Sequence, residues 1–442
     1  MAILNKPACF TVFVVVLALA PQASRCVGGS VEPASAPENV LLTGRHDPRL
    51  ASFDRLMRQF LARHRVPGAA LAVTRHGRLV YARGFGYASL ASGEAVRPEA
   101  LFRIASVSKP ITAAAVLALV DRGKLGLDDR VLDRLGPGFD GPPADPRWRR
   151  ITLRELLQHR GGWDRDRSFD PMFRPVLIAR QFRVEPPAGP RLVIRYMLGQ
   201  PLDFDPGARD AYSNFGYCVL GRVIEHATGE PYEAAVRKLV LTPLGLGPRS
   251  IRLGHTLPER RAPGEVHYHG GGTGPLVFPP LGRPVPEPYG AWNLEAMDAH
   301  GGWLASAPAL VRFASSFDNP ARSKILSARA VATLFERPPG AAGARPDGQP
   351  RDAYYACGWN VRPVGRGGAN TWHTGALPGT STLLVRRWDG LNWAVLFNTR
   401  NGADGVDLAG AIDPLVHGAA DAVTEWPAID LFSSQSLSTP GG

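Results

Sequence analysis

Ser106-Val107-Ser108-Lys109 places a hydroxyl and an amine three residues apart. On a helix such residues share a face, with Cβ atoms roughly 5–6 Å apart, so the two side chains can meet. The pair is a nucleophile with its own base, which is the chemistry of acyl transfer. A lysine with its ordinary pKa of about 10.4 is protonated at neutral pH, so the pair works only where burial or a nearby cation favours the uncharged amine. The residues that follow, from Pro110 to Val120, are apolar on every side and predict a helix inside the protein. Pro110 suits its first turn. Ser106, at the start of that helix, would lie among free N–H groups that favour a developing oxyanion. Taken alone, the same residues also fit a capping serine and a solvated lysine. The chain has only five lysines, and no other has a serine three positions before it.

Two further polar triplets follow in the chain. Tyr212-Ser213-Asn214 precedes a predicted helix, and His373-Thr374-Gly375 precedes a predicted C-terminal hairpin. Alone, Tyr212 fits a packed aromatic and Asn214 a helix cap. Rival chemistries are weaker. No GxSxG elbow occurs, which disfavours an α/β-hydrolase. His267-Tyr268-His269 with Glu265 could present two imidazoles to zinc from one strand face, but its Gly-rich setting also fits a surface loop with no metal. His159 is expected to satisfy the last carbonyls of the helix it closes. No metal and no cofactor is expected.

These residues need a scaffold. Apolar positions from Pro48 to His64 recur with helical period, and Ala69–Thr74 and Arg78–Gly86 read as strands around the turn His76-Gly77. Thr152-Leu153-Arg154-Glu155 is a capping box, with Ile151 and Leu156 as its apolar staple. A helix is expected from about Phe215 to Ala227, and another begins at Pro231. Residues 254 to 292, dense in Pro, Gly and His, read as a long irregular excursion that forms part of a pocket. Ser381–Arg387 and Asn392–Thr399 flank Asp389-Gly390, a strong hairpin signal, and a helix follows Asp404. With strands at both ends and helices between, the expected fold is α/β in the α+β sense. It has an antiparallel sheet formed from N- and C-terminal segments and flanked by helices, with a mostly helical lobe inserted.

The domain is placed at 47–425, its sheet lobe at about 47–105 and 300–425 and its helical lobe at about 106–299. A charged, apolar, then small-residue order over 1–25 reads as a secretory signal with cleavage near Ala23, so an exported protein is expected, with no membrane span in the mature chain. Residues 26–46 read as a linker and 426–442 as a disordered tail. The net charge of +12 comes from arginines scattered among acids rather than a basic face, so no nucleic-acid partner is expected. The partner is a small-molecule or peptide substrate, and the oligomeric state is open. Cys26, Cys218 and Cys357 would remain after cleavage, and no disulfide is required.

In order and with their flanks, the motifs resemble the serine β-lactamase and penicillin-binding superfamily. They look most like its class C β-lactamase and D-alanyl-D-alanine carboxypeptidase branch. The flanks include Phe102-Arg103-Ile104-Ala105, Leu156-Leu157-Gln158-His159, Asp205-Pro206-Gly207 and His300-Gly301-Gly302. The resemblance covers roughly 47 to 420 and implies a β-lactamase/transpeptidase-like fold. It implies that Ser106 is acylated while Lys109 and Tyr212 move protons, and that Asn214, His373, Thr374 and Gly375 bind substrate. The backbone N–H groups of Ser106 and Ala376 would form the oxyanion hole. His373 departs from the lysine of the β-lactamases, which weakens the permanent charge that grips a β-lactam carboxylate. The expected activity is therefore carboxypeptidase-like or esterase hydrolysis of amide or ester bonds. The alternatives are a β-lactamase with weak turnover and a non-catalytic module binding peptidoglycan or another ligand.

Overall fold

The computed structural model describes residues 40–139 and 141–433. The expected signal and most of the linker lie outside the described residues. Among these residues the strands, in chain order, are β1 Leu42–Thr43, β2 Gly68–Arg75, β3 Arg78–Ser89, β4 Glu94–Ala95, β5 Phe102–Arg103, β6 Ile251–Leu253 and β7 Thr273–Pro275. They continue with β8 Pro284–Pro286, β9 Trp303–Ala305, β10 Tyr354–Tyr355, β11 Asn360–Val364, β12 Gly368–Leu377, β13 Thr380–Arg386 and β14 Leu391–Phe397. The main sheet runs β1-β3-β2-β14-β13-β12-β11-β10, with β4 paired to β3. Every pairing in it is antiparallel, and β14 against β2 joins the two ends of the chain. The expected sheet of N- and C-terminal segments is present, with helices on both faces.

Both faces of the sheet are buried, which explains why its central strands read as unbroken apolar runs. Alternation persists beneath that run. In β14, Leu391, Trp393, Val395 and Phe397 face one core, shared with Phe53, Met57 and Phe60 of helix Ala51–His64 and with Ile412 and Val416 of helix Leu408–Asp421. Ala394 and Leu396 face the other core. That second core holds helix Ser108–Asp121, whose side chains are almost all buried, as its uniform apolarity predicts.

Local signals are realised closely. His76 and Gly77 take φ of 48° and 77°, the two left-handed positions of a tight hairpin turn. Thr152 and Glu155 form the reciprocal capping box of helix Leu153–Leu157. The chain ends differ from expectation. Leu42–Thr43, assigned to a linker, pairs with β3 as an edge strand. Residues up to Ser433, assigned to a disordered tail, pack instead. Leu431 donates its N–H to the Leu79 carbonyl, and Trp426 lies against Phe53, so buried side chains hold a segment whose composition looked like tail. Cys218 and Cys357 are buried free thiols. Among the described residues no helix is long and apolar enough to cross a membrane.

Candidate active site

Ser106 sits in a 3-10 turn, Ala105–Val107, between β5 and helix Ser108–Asp121. It therefore lies just ahead of the helix rather than on it. Ala105 has φ of 47°, a left-handed conformation that is costly for a residue with a Cβ, so the chain is sharply turned at the nucleophile. Ser106 is partly exposed and Lys109 is fully buried.

The Lys109 Nζ lies 3.0 Å from Ser106 Oγ, 2.8 Å from Asn214 Oδ1 and 3.0 Å from the His300 carbonyl oxygen. Among the described residues no carboxylate forms an ion pair with it. Burial accordingly drives its pKa well below the usual range, with Asp170 opposing that shift and Arg165 adding to it. A neutral amine has two N–H donors and one lone pair. Asn214 and His300 can take the donors, which leaves the lone pair for the Ser106 proton.

Asn214 is free for this because Ser213 performs the capping. Its Oγ accepts the Gly216 N–H at 3.2 Å and starts helix Asn214–Thr228. The Asn214 Nδ2 donates to Asp170 Oδ2 at 2.6 Å, which orients the carboxamide with its oxygen towards Lys109. Asp170 was not among the residues expected at the site, since its only local signal is an Asp-Pro helix start. The Tyr212 phenol pKa is raised by burial, with the neighbouring Ser106 hydroxyl opposing, so Tyr212 is a neutral phenol. Lys109 Nζ lies 4.7 Å from the centre of its ring.

β12 runs alongside. His373, Gly375 and Leu377 point inward, and Thr374 and Ala376 are exposed. Gly375 is required by proximity, because a Cβ there would stand 2.3 Å from the Ile104 carbonyl oxygen and 3.0 Å from Ser106 N. The strand's backbone is thereby brought against the nucleophile turn, and Ala376 lines the same cavity as Ser106. His373, expected to bind substrate, has its side chain enclosed within the protein. It is 2% exposed, its Nδ1 lies 2.6 Å from the Thr374 carbonyl and its Nε2 lies 3.0 Å from the Tyr355 hydroxyl. Burial, with Lys109 adding, lowers its pKa to about 3. In that neutral ring Nδ1–H donates to the carbonyl and Nε2 accepts from Tyr355, so both nitrogens are spent within the protein.

His159 also differs from expectation. It turns at φ 56°, accepts the Ser213 N–H on Nδ1 at 3.2 Å, and packs its ring 4.4 Å from Tyr212 and 4.3 Å from Tyr355. It therefore supports Tyr212 instead of capping a helix. His267 and His269 donate their backbone N–H groups to Ala88 and Asn398, while Tyr268 between them is buried with its hydroxyl on Glu265. Among the described residues no group of three His, Cys, Asp or Glu could hold a metal ion.

The cleft above Ser106 has a volume of about 550 Å³ and an apolar side made by Phe173, Trp292 and Met297. Part of the 254–292 excursion lines it, as expected. Arg103, three residues before Ser106, pins that wall by donating to the carbonyls of Pro288 at 2.6 Å, His255 at 2.8 Å and Thr256 at 3.2 Å.

The sequence profile of the Beta-lactamase family matches residues 53–416. The chain belongs to the Beta-lactamase family. Esterase EstB of Burkholderia gladioli is 37% identical over 249 residues, 54% of this chain and 60% of that protein. Penicillin-binding protein 4 of Amycolatopsis lactamdurans is 33% identical over 285 residues, 62% of this chain and 66% of that one. The match thus spans three-fifths to two-thirds of these relatives. The D-amino acid amidase of Ochrobactrum anthropi SV3, solved with D-phenylalanine, shares the fold with a TM-score of 0.64 at 20% identity, over 85% of this chain and 99% of that one. The family is one of serine hydrolases, with an esterase and a penicillin-binding protein among the relatives matched.

Proposed function

We propose that Ser106 is the nucleophile of an acyl-enzyme hydrolase that cleaves ester or amide bonds, of the esterase or D-alanyl-D-alanine carboxypeptidase type. The observation that carries the reading is a buried amine, without a counter-ion among the described residues, 3.0 Å from a partly exposed serine hydroxyl. As Ser106 Oγ bonds to the substrate carbonyl carbon, its proton passes to the Lys109 lone pair. The resulting ammonium has three donors and three oxygens already in place around it, so the cradle serves both protonation states. Tyr212 gives its proton to the departing alcohol or amine and is reprotonated from Lys109, and water then reverses the steps to release the acid. The oxyanion falls to the Ser106 and Ala376 N–H groups, each such donor being worth roughly 3 kcal/mol of barrier. His373, neutral and enclosed, offers no cation for a substrate carboxylate, whether a β-lactam's or a peptide's, which favours the esterase side of this reading. Export remains part of the proposal and rests on residues 1–25 alone, so the N-terminal mass of the secreted protein checks it.

The deciding experiment is labelling with a fluorophosphonate, followed by peptide mass mapping. Stoichiometric adduct on Ser106, absent in Ser106→Ala, is expected. Turnover of p-nitrophenyl acetate, nitrocefin and a D-Ala-D-Ala peptide then ranks the activities. No adduct on Ser106 together with full activity in Ser106→Ala ends the proposal.

A further inference from the structure

One residue grips Tyr212 from both sides. His159 accepts the Ala211 N–H on its backbone carbonyl at 2.9 Å and the Ser213 N–H on its ring Nδ1 at 3.2 Å, so the peptide groups bracketing the tyrosine end on the same histidine. Its ring then packs 4.4 Å from the Tyr212 ring and 4.3 Å from that of Tyr355. Tyr355 stands edge-on to Tyr212, with centres 6.3 Å apart at 87°, and is anchored through its hydroxyl to His373 on β12.

This grip is costly. His159 is 3% exposed, and its φ of 56° is a strained conformation for a residue with a Cβ. Burial, with Lys109 and His373 adding, drives its pKa well below the usual histidine range, so the ring is neutral. Because Nδ1 accepts from Ser213, the single ring proton sits on Nε2, and Nε2 is buried with no hydrogen-bond partner among the described residues. Backbone strain and an unsatisfied donor meet in the residue that holds a reacting side chain, the pattern of a position kept for function at the expense of stability.

We propose that His159 is a positioning residue for Tyr212, its Nδ1 bond to the Ser213 N–H fixing the phenol where it protonates the leaving group. The inference rests on Ser106 as nucleophile and Tyr212 as proton donor. Proton transfer needs hydrogen-bond reach, and a small displacement of the donor is felt most where the leaving group depends on the proton.

Two esters with one acyl group separate that step from the rest. p-Nitrophenolate departs from its acetate without a proton, whereas trifluoroethoxide departs only as it receives one. His159→Asn keeps an acceptor oxygen at the Nδ1 position and tolerates the left-handed turn, while His159→Phe and His159→Gln lack that acceptor. In the Phe and Gln variants the ratio of kcat/KM for trifluoroethyl acetate to that for p-nitrophenyl acetate is expected to fall about tenfold or more, and in the Asn variant to stay near that of wild type. The rate of Ser106 labelling by a fluorophosphonate, whose fluoride leaves unprotonated, should remain close to wild type in all three. An unchanged ratio in the Phe and Gln variants, an equal fall in the Asn variant, or labelling that slows in step with both esters overturns the role of His159. Absence of Ser106 labelling in wild type counts against the nucleophile itself.

Discussion

Two buried cations in this molecule meet opposite fates. On the outer face of the sheet, Arg83 is 7% exposed and donates to Asp54 at 2.7 Å, and Asp54 also accepts the Tyr81 hydroxyl at 2.6 Å. At the cleft, Lys109 is fully buried among neutral oxygens, and the closest link to a carboxylate runs through Asn214 to Asp170. Burial is similar, and the counter-charge differs. Arg83 meets its counter-charge and holds helix Ala51–His64 to the sheet, whereas burial without a partner lowers the Lys109 pKa and fits it to act as a base. A buried charge with a partner is architecture, and one without a partner is chemistry.

The contrast is broken most directly at the cleft. Ser106→Ala is expected to abolish turnover, and Lys109→Ala to lower kcat/KM by about a thousandfold or more, both with a thermal unfolding midpoint close to that of wild type. Near-normal rates would remove Ser106 from the role of nucleophile in the first variant and Lys109 from that of base in the second. Asp54→Ala should show the converse. It leaves Arg83 buried without its partner, so about 3 kcal/mol or more of stability is expected to be lost in denaturant titration. The surviving folded protein should keep its kcat/KM, since no contact joins Asp54 to the cleft. Gly375→Ala lies between the two cases. The new Cβ meets the Ile104 carbonyl and Ser106 N, and overpacking of this kind costs about 1–3 kcal/mol while displacing the nucleophile turn, so stability and kcat should fall together.

Much of this was legible in the sequence. The Ser106–Lys109 spacing, the apolar helix behind it, and Tyr212 with Asn214 before a second helix are local patterns, and the structure brings all four side chains together. What was hidden depends on direction. The triplet at 373–375 identifies residues but not which face of β12 each occupies, and only the paired sheet shows His373 turned inward to Tyr355. Asp170 acts across 44 positions of chain through Asn214, and its local context signals nothing more than a helix start. The His300 carbonyl is invisible to any side-chain pattern, although the His300-Gly301-Gly302 flank marked its location. Leu42–Thr43 and the three-residue strands are too short for periodicity to register.

The finest test uses the two charges that flank the amine. Asp170 favours the protonated form of Lys109 and Arg165 disfavours it. Turnover needs the neutral form, so kcat/KM rises with pH through the pKa of Lys109, and the acid limb of the profile reports it. Asp170→Asn keeps an acceptor oxygen for Asn214 Nδ2 and removes only the charge that raises this pKa, so the limb should move to lower pH. Arg165→Gln removes a charge that lowers the pKa, so the limb should move to higher pH. Measured on p-nitrophenyl acetate, which carries no ionisable group that titrates in this range, the shifts report the amine rather than the substrate. Displacements in opposite directions mean that the unpaired amine is tuned by its neighbours' charges. Displacement in the same direction would mean that geometry, not charge, sets its protonation.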